Sequence, residues 1–320
     1  MRKATTAEHT ATGVRHEALL YSGREEYVAG TVPFVLDGLA AGDDVLVVVG
    51  QERSEQMRTA LGPAAGEVEF ADMAEVGRNP ARIIPAWQEF LDDRTARGRG
   101  VRGIGEPIWA ARTSDELVEC QRHEALLNVA FDGSPRWRLL CPYDVDSLRS
   151  DVLAEAVRTH PYVTAGGACQ EVPVHVEEMA VHHLDAPLPE PRRVLEEVAF
   201  DHRRLRQVRT LVASTAERFG MDLSRTADLV MAANEVATNS VRHGGGRGEV
   251  RLWRDGRSLV CEVRDRGRLD EPMAGRREPA VGSLGGRGLW LTNQVCDLVQ
   301  IRCYAEGTVV RLHLGIMSVP

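Results

Sequence analysis

The 320-residue sequence contains 43% hydrophobic and 27% charged residues, so it can form two folded domains and is not a disordered tail. Its formal net charge of −8 argues against a nucleic-acid-binding protein, which needs a basic surface. The six cysteines include no CxxC pair, which excludes the common zinc and redox motifs and favours reduced thiols.

The N-terminal segment 1–13 resembles a flexible tail and lacks the apolar core of a signal peptide. The longest apolar run, VLVVV at 45–49, has the length of a strand and is too short to cross a bilayer. We therefore expect a cytosolic protein that does not interact with membranes or directly with nucleic acid.

From residue 14 to about residue 160, apolar runs of strand length alternate with helical patterns. The predicted strands are VRHEALL at 14–20, DVLVVV at 44–49, EVEFADM at 67–73, VRGIGEPIW at 101–109 and RWRLLCPYD at 136–144. The predicted helices are 24–42, 52–62, 80–97, 113–131 and 147–160. This alternation predicts an α/β domain with a mostly parallel sheet that is covered on both faces.

The pattern breaks at 160–193, where DAPLPEPRR places three prolines in a short span. We predict a first domain at 14–183, a linker at 184–193 and a second domain at 194–320. The second domain has two long predicted helices, 201–220 and 222–243, and a short one at 287–296. Its predicted strands form two antiparallel pairs, EVRLWRDG with SLVCEVRD and DLVQIRCY with GTVVRLHLG, which indicate an α+β fold.

Four short elements of the second domain carry polar groups or glycines in a suggestive order. Glu235 and Asn239 lie four residues apart on a predicted helix and so project from the same face. Asp265 ends a predicted strand, the glycine-rich GGRGL at 285–289 opens a helix, and Gly307-Thr308 begins the last strand.

Each element has a physical role if the ligand is ATP. Asp265 can accept the exocyclic amine of adenine, and Thr308 can bond this carboxylate from behind. Glycines at a helix start let backbone N–H groups approach phosphates. Asn239 can offer an oxygen to Mg²⁺, and Glu235 can take a proton from an attacking hydroxyl or water.

With these motifs, residues 194–316 resemble the GHKL ATPase superfamily and, within it, the anti-sigma-factor serine kinases. NEVATN resembles the N box of the family, DRG its first glycine box and GGRGLWL its second. The resemblance implies a Bergerat fold that binds Mg²⁺–ATP under a mobile lid. It also implies phosphorylation of a serine or threonine on a STAS-type anti-anti-sigma partner, alternating with capture of a sigma factor.

By match to these boxes, Glu235 would be the general base and Asn239 the Mg²⁺ ligand. The nucleotide-binding residues implied in this way are Asn239, Asp265, Gly267, Gly286, Arg287, Gly288 and Thr308. Arg242 and His243 follow the N box. They fit either a cation pair at the C-terminal end of a helix or a contact to phosphate or lid, and the sequence leaves both open.

The sequence departs from the family pattern after Asp265-Arg-Gly, where Arg268-Leu269 replaces the usual Gly or Pro. This departure motivates an alternative, a non-catalytic ATP-binding module that sequesters a sigma factor or another partner. A sensor histidine kinase is a further alternative, because Asp201-His202-Arg203 resembles a phosphoacceptor site. Such kinases need a two-helix dimerisation hairpin before the ATP domain, whereas only about one helix separates His202 from the N box.

Residues 14–160 resemble the MEDS sensory domain. The similarity is carried by HEALLYSGREEY at 16–27, GEPIW at 105–109, ECQRHEALLN at 119–128 and LLCPYD at 139–144. It implies a relative of the RecA-like fold, a small-molecule ligand and a sensory role, and it leaves a homodimer open. The segment has no GxxxxGK[ST] motif, so we expect no phosphate site there. For the polar candidates Glu106, Trp109, Tyr143, Asp144, His16 and Glu124, a structural role is favoured over ligand binding.

Overall fold

The computed structural model describes residues 14–131, 137–173, 187–269, 271–280 and 286–316, which form two compact units interleaved along the chain. The first unit contains residues up to Asp72 together with 89–109 and 127–173, and the second contains 73–88, 110–126 and the described residues from 187 onward. The predicted tail and residues 184–186 of the predicted linker lie outside the described residues. Within the described part of the chain, no helix has both the length and the apolarity that crossing a bilayer requires.

The first unit is built on a seven-stranded sheet with the strand order β3-β2-β4-β5-β1-β6-β7. Its strands are β1 (Arg15–Tyr21), β2 (Asp44–Val49), β3 (Glu69–Asp72), β4 (Val101–Gly105), β5 (Trp137–Asp144), β6 (Tyr162–Ala165) and β7 (Ala168–Glu171). Neighbouring strands are parallel except for the pair β6–β7. The predicted α/β class with a mostly parallel sheet is therefore confirmed.

Helices connect these strands, as the alternating pattern predicts. They are α1 (Gly23–Ala40), α2 (Gln51–Leu61), the short α3 (Met73–Val76), α4 (Ile83–Thr95), α5 (Ser114–Ala130) and α6 (Ser150–Thr159). Residues Val45 to Val49 of β2 are all buried, which explains the unbroken apolar run: a strand covered on both faces has no polar side to alternate with.

The hairpin of β6 and β7 lies in the stretch where the sequence pattern breaks, and we did not predict it. Gly166 and Gly167 form its two-residue turn and both have positive φ, 55° and 77°. A turn of this type suits the right-handed twist of paired strands and strongly favours glycine. The strands were missed because they are only four residues long and ACQE carries no apolar alternation.

A buried carboxyl lies just beyond the C-terminal end of β4. Tyr21 Oη donates a hydrogen bond to Glu106 Oε1 over 2.9 Å. Burial raises the pKa of Glu106 to about 7, against the opposing effects of this hydrogen bond and of the Arg53 charge. Glu106 is therefore a buried carboxyl group that titrates near neutral pH.

We expect Glu106→Gln to flatten the dependence of folding stability on pH. Because the folded pKa is raised from 4.5 to about 7, the folded chain binds more protons than the unfolded chain in this window. The free energy of unfolding therefore falls by about 3 kcal/mol as the pH rises from below 4.5 to above 7. Urea unfolding at pH 5 and pH 8 should show a gain for the variant at pH 8 only. The exposed Glu25→Gln is the control, and an unchanged slope in Glu106→Gln would contradict the prediction.

The second unit contains a five-stranded antiparallel sheet with the strand order β11-β12-β10-β9-β8. Its strands are β8 (Glu196–Asp201), β9 (Arg247–Asp255), β10 (Ser258–Asp265), β11 (Leu298–Tyr304) and β12 (Gly307–Gly315). Its further helices are α7 (Leu205–Arg218), α8 (Leu223–His243) and α9 (Arg287–Val295). The predicted α+β sandwich is confirmed; β8 was missed because an edge strand beginning Glu-Glu does not show an apolar face.

The core of this unit forms where α7 and α8 pack on one face of the sheet. Val208, Val212 and Ala216 recur at four-residue spacing on α7 and are fully buried. Alternate residues of the sheet face them, including Leu259 and Cys261 on β10. Asp222 caps the N-terminus of α8: its side chain accepts a hydrogen bond from the Arg225 backbone N–H over 2.9 Å.

Residues 187–193 of the predicted linker run along the antiparallel sheet. The backbone N–H of Leu188 donates to Tyr304 Oη over 3.0 Å, and Arg311 donates to the Pro189 carbonyl over 2.7 Å. Glu190 forms ion pairs with Arg251 and Arg264 at 3.1 and 2.9 Å. This part of the linker is therefore attached to the second unit by specific polar contacts.

A buried charge cluster joins α5 to the antiparallel sheet inside the second unit. Glu119 Oε1 accepts from Arg302 over 2.7 Å, and its Oε2 lies 3.5 Å from Arg276 and 3.6 Å from Arg122. All four side chains are at most 3% exposed. Burial alone would raise the pKa of Glu119, but the charges of Arg302, Arg122 and Arg276 outweigh it and lower the pKa, so the carboxylate is ionised.

A second polar contact links residue 79 to α9. Asn79 Nδ2 donates to the backbone carbonyl and the side-chain oxygen of Asn293, over 3.0 and 3.2 Å. Asn293 in turn donates to the Gly275 carbonyl over 2.9 Å. Both asparagines are buried, so these hydrogen bonds satisfy polar groups that would otherwise be costly to remove from water. The chain around Gly275 is thereby tied to the interior of the unit.

Candidate functional site

The carboxylate of Asp265 lies at the end of β10, directly opposite Thr308 on β12. Its Oδ1 accepts a hydrogen bond from the Gly267 backbone N–H over 2.7 Å. Thr308 Oγ1 donates to the Gly267 carbonyl over 2.9 Å. Thr308 therefore does not bond the carboxylate directly, as the sequence suggested; both side chains bond the backbone of Gly267. These bonds hold the Asp265 carboxylate in one orientation.

The end of α8 approaches this turn so closely that a side chain could not be accommodated. A Cβ atom added at Gly244 would lie 2.4 Å from Asp265 Cγ and 2.6 Å from its Oδ2. The Gly244 carbonyl also accepts from the Arg266 backbone N–H over 3.3 Å. The first of the three glycines after the N box is therefore required by the contact between helix and carboxylate.

The first turn of α9 lies against the polar face of α8. A Cβ atom added at Gly288 would lie 2.8 Å from Glu235 Oε2 and 3.5 Å from Asn239 Nδ2. Gly286, which precedes α9, has a φ of 86°, a left-handed conformation that glycine adopts at little cost. The glycine-rich segment therefore brings backbone N–H groups at a helix start to the side chains of the N box.

Glu235 is half-buried, and within the described residues its carboxylate makes no hydrogen bond or ion pair. Asn234, the residue before it, accepts a hydrogen bond from Arg209 over 2.9 Å. A carboxylate that is partly shielded and beside a helix N-terminus is suited to accept a proton from a bound hydroxyl.

A cavity of about 480 Å³ opens between α8, α9 and the ends of β10 and β12. The predicted site residues on its wall are Asn239, Asp265, Gly267, Gly286, Gly288 and Thr308. Glu235 and Arg287 are not on the wall: Glu235 lies behind Gly288, and Arg287 is exposed. The volume falls in the range typical of small-molecule sites.

The apolar part of the wall was not predicted from the sequence. Val236, Leu269, Leu289 and Val310 line it. Val236 follows Glu235 directly and Leu289 follows Gly288. Their positions next to motif residues were the one sequence signal that could have placed them at the cavity. Apolar side chains around one carboxylate form a surface that suits a flat heterocycle with an amine edge.

The two basic residues after the N box have different positions. His243 lines the cavity, whereas Arg242 is exposed and is not part of the wall. Gly275, tied to Asn293, also lines the cavity, as do Gly244, Arg268, Glu271 and Ala274. Residues 270 and 281–284 of the segment predicted to form the lid, 267–284, lie outside the described residues, as does Gly285 of the glycine-rich motif.

The site fits a nucleotide on the chemistry of its donors. Asp265 offers an acceptor for an amine, and α9 directs the positive end of its dipole toward the cavity. The gap beside Gly288, which a Cβ would fill, lets the backbone approach a phosphate. Asn239 supplies an amide oxygen of the kind that Mg²⁺ takes together with phosphate oxygens.

Two family models match the chain in succession. Residues 15–161 match MEDS, the MEthanogen/methylotroph, DcmR Sensory domain, and residues 198–314 match the Histidine kinase-like ATPase domain. Both predicted domain identities are thus confirmed. No curated protein is significantly similar to the chain.

Among solved structures, the chain is similar to the RsbU and RsbW domains of a protein from Mycobacterium tuberculosis, with 23% identity and a TM-score of 0.28. The match covers 37% of this chain and 32% of that chain. A likeness this distant supports no conclusion about activity.

Proposed function

Since the chain carries a MEDS domain followed by a histidine kinase-like ATPase domain, we propose that it is an ATP-dependent regulatory protein kinase. In this proposal the second unit transfers the terminal phosphate of ATP to a serine or threonine of a partner protein, and the MEDS region controls the transfer. The observation that carries it is the convergence of Asn239, Gly288 and Asp265 on the wall of one cavity, with the Glu235 carboxylate beside Gly288.

Nucleotide binding follows from the wall of the cavity. Asp265 accepts the adenine amine, and the apolar side chains of Val236 and Val310 pack against the ring. Backbone N–H groups at the start of α9 donate to phosphate oxygens. Asn239 would hold Mg²⁺, which when bound neutralises phosphate charge.

Phosphate transfer needs a base close to the phosphates. Glu235 accepts the proton that the partner's hydroxyl loses as its oxygen bonds to the terminal phosphorus, and ADP leaves with the electrons of the broken P–O bond. The proximity of the Glu235 carboxylate to Gly288, in the first turn of α9 where the phosphates would bind, supports this role. As in the anti-sigma serine kinases that the motifs resemble, the partners would be a STAS-type anti-anti-sigma protein and a sigma factor.

Control by the MEDS region is supported by two contacts inside the second unit. Asn79 and Glu119 lie in the stretch that matches the MEDS model. Asn79 bonds Asn293, which holds Gly275 on the cavity wall, and Glu119 pairs with Arg276, the next residue. A signal that moves α5 or residue 79 would therefore reach the segment that borders the nucleotide.

A non-catalytic role, in which the protein sequesters its partner without transferring phosphate, is the second candidate. It is favoured by the burial of Arg276, a residue of the predicted lid. Arg276 is 3% exposed and pairs with Glu119 on α5. A lid held in this way would close less readily. Transfer of labelled phosphate from ATP to a STAS-type protein would exclude this candidate, and acid-labile phosphate on His202 would instead favour a sensor histidine kinase.

We expect Asp265→Asn to weaken ATP binding about 10- to 100-fold, because the variant loses a charge-assisted hydrogen bond to the adenine amine and presents an amide in its place. Titration calorimetry with Mg²⁺–ATP measures the change in Kd. Asp255→Asn, at the exposed β9–β10 turn, is the matched control and should bind as the wild type does. Equal affinity of Asp265→Asn and wild type, or no binding by the wild type, would overturn the proposed function.

A further inference from the structure

We propose that the first unit contains a transition-metal site, suited best to Zn²⁺, whose ligands are His16, Cys141 and His160. The three side chains offer ligand atoms that all lie within 4.8 Å of one another. None is more than 2% exposed. The site shares no residue with the candidate nucleotide cavity and does not depend on the proposed kinase function.

The fold explains why these three residues meet. His16 lies on β1 and Cys141 on the adjacent β5, where the register pairs Cys141 with Ala18. Residues 16 and 18 point to the same face of the sheet because strand side chains alternate. His160 follows the last turn of α6 and reaches the same face: its ring centroid lies 4.1 Å from that of His16. His16 Nε2 is 3.4 Å from Cys141 Sγ.

Hydrogen bonds at the far side of each imidazole select the tautomer that a metal needs. His160 Nδ1 lies 2.7 Å from the Ala156 carbonyl, which can only accept, so Nδ1 carries the proton. His16 Nδ1 lies 3.1 Å from Asn128 Oδ1. The amide of Asn128 donates through Nδ2 to the Thr159 carbonyl over 2.9 Å, which turns its oxygen toward His16.

Both imidazoles therefore present Nε2 as the lone-pair nitrogen, the arrangement in which outer hydrogen bonds orient metal-binding histidines. The donor set of one thiolate and two imidazoles matches Zn²⁺, which binds cysteine sulfur and histidine nitrogen in tetrahedral sites. Packing alone does not explain three such donors in the interior of a Val- and Leu-rich parallel sheet. Apolar side chains would fill the same space without the free-energy cost of removing polar groups from water.

The test uses Co²⁺, whose spectrum reports its ligands, on the purified full chain kept reduced with a phosphine. We expect one Co²⁺ per chain, strong visible bands of a tetrahedral site and a near-ultraviolet thiolate-to-cobalt band, all removed by added Zn²⁺. Cys141→Ser should lose the thiolate band. Cys169→Ser is the matched control, because Cys169 is an exposed cysteine of the same sheet, on β7, and should retain it.

A second variant addresses the outer hydrogen bonds. Asn128→Ala should lower Zn²⁺ affinity about 10- to 100-fold in a chelator competition, with the thiolate–cobalt band still present. The proposal is overturned if the folded wild type shows no thiolate band, or if Cys169→Ser and not Cys141→Ser abolishes it. Should Cys141→Ser fail to fold by circular dichroism, the wild-type spectrum and the Asn128→Ala affinity still decide.

Discussion

Replacing Glu235 with glutamine is expected to lower phosphate transfer to a STAS-type partner by about 10²–10⁴-fold while leaving Mg²⁺–ATP affinity nearly unchanged. Glutamine keeps the shape of the side chain beside Gly288 but cannot accept the proton of the attacking hydroxyl. In the proposed site the nucleotide is held by other residues, so binding should persist. Single-turnover transfer of labelled phosphate, with calorimetry of ATP binding, measures both quantities.

Glu217→Gln is the matched control, because Glu217 is exposed on α7 and makes no contact with the cavity. Transfer by Glu235→Gln at the wild-type rate would show that Glu235 is not the base. Transfer that is absent in both the wild type and the variant, with ATP bound by each, would favour the sequestering role instead.

The second large effect concerns stability. Glu119→Gln should lower the free energy of unfolding of the second unit by about 3–5 kcal/mol, because it removes the buried carboxylate that pairs with Arg302, Arg122 and Arg276. Burial, with the neighbouring Arg122 charge, already lowers the pKa of Arg276 to about 9, even while Glu119 is ionised. The measurement is the Tm and the urea midpoint of the variant at neutral pH.

Glu278→Gln, an exposed change in the same segment as Arg276, should leave both values close to those of the wild type. If Glu119→Gln proved as stable as the wild type, the cluster would not be held by this carboxylate. Recovery of stability in a double variant that also replaces Arg302 with methionine would support charge imbalance as the cause, since an apolar replacement of similar volume removes one of the buried positive charges.

The regular part of the fold could be predicted from local sequence patterns. VLVVV identified a buried strand, and Asp255-Gly256 identified the β9–β10 hairpin, because both signals depend on neighbouring residues alone. The short β6 and β7 and the edge strand β8 could not be found by apolar alternation, because little of their surface faces a core. Gly166 and Gly167 were the one local sequence signal for the β6–β7 hairpin, since they form its turn.

The candidate site could be predicted as far as its residues lie in short motifs. Asp265 and Gly288 were predicted because four short motifs occur in order along the chain, and the structure places both residues on the wall of one cavity. Val310 was not identified, since an apolar residue in a strand has the same pattern whether it faces a core or a cavity. His16 and Cys141 lie 125 residues apart, and only the strand register brings them together.

The burial of Glu119 against Arg302 has a consequence for how the chain is made. The two residues are 183 positions apart, so α5 leaves the ribosome long before β11 exists. Until then Glu119 and the residues around it must remain solvated or be shielded by a chaperone. The second unit therefore cannot mature as a separate late module. A fragment that begins at residue 187 would leave Arg302 and Arg276 without their carboxylate, and we expect it to need the missing segments supplied in trans.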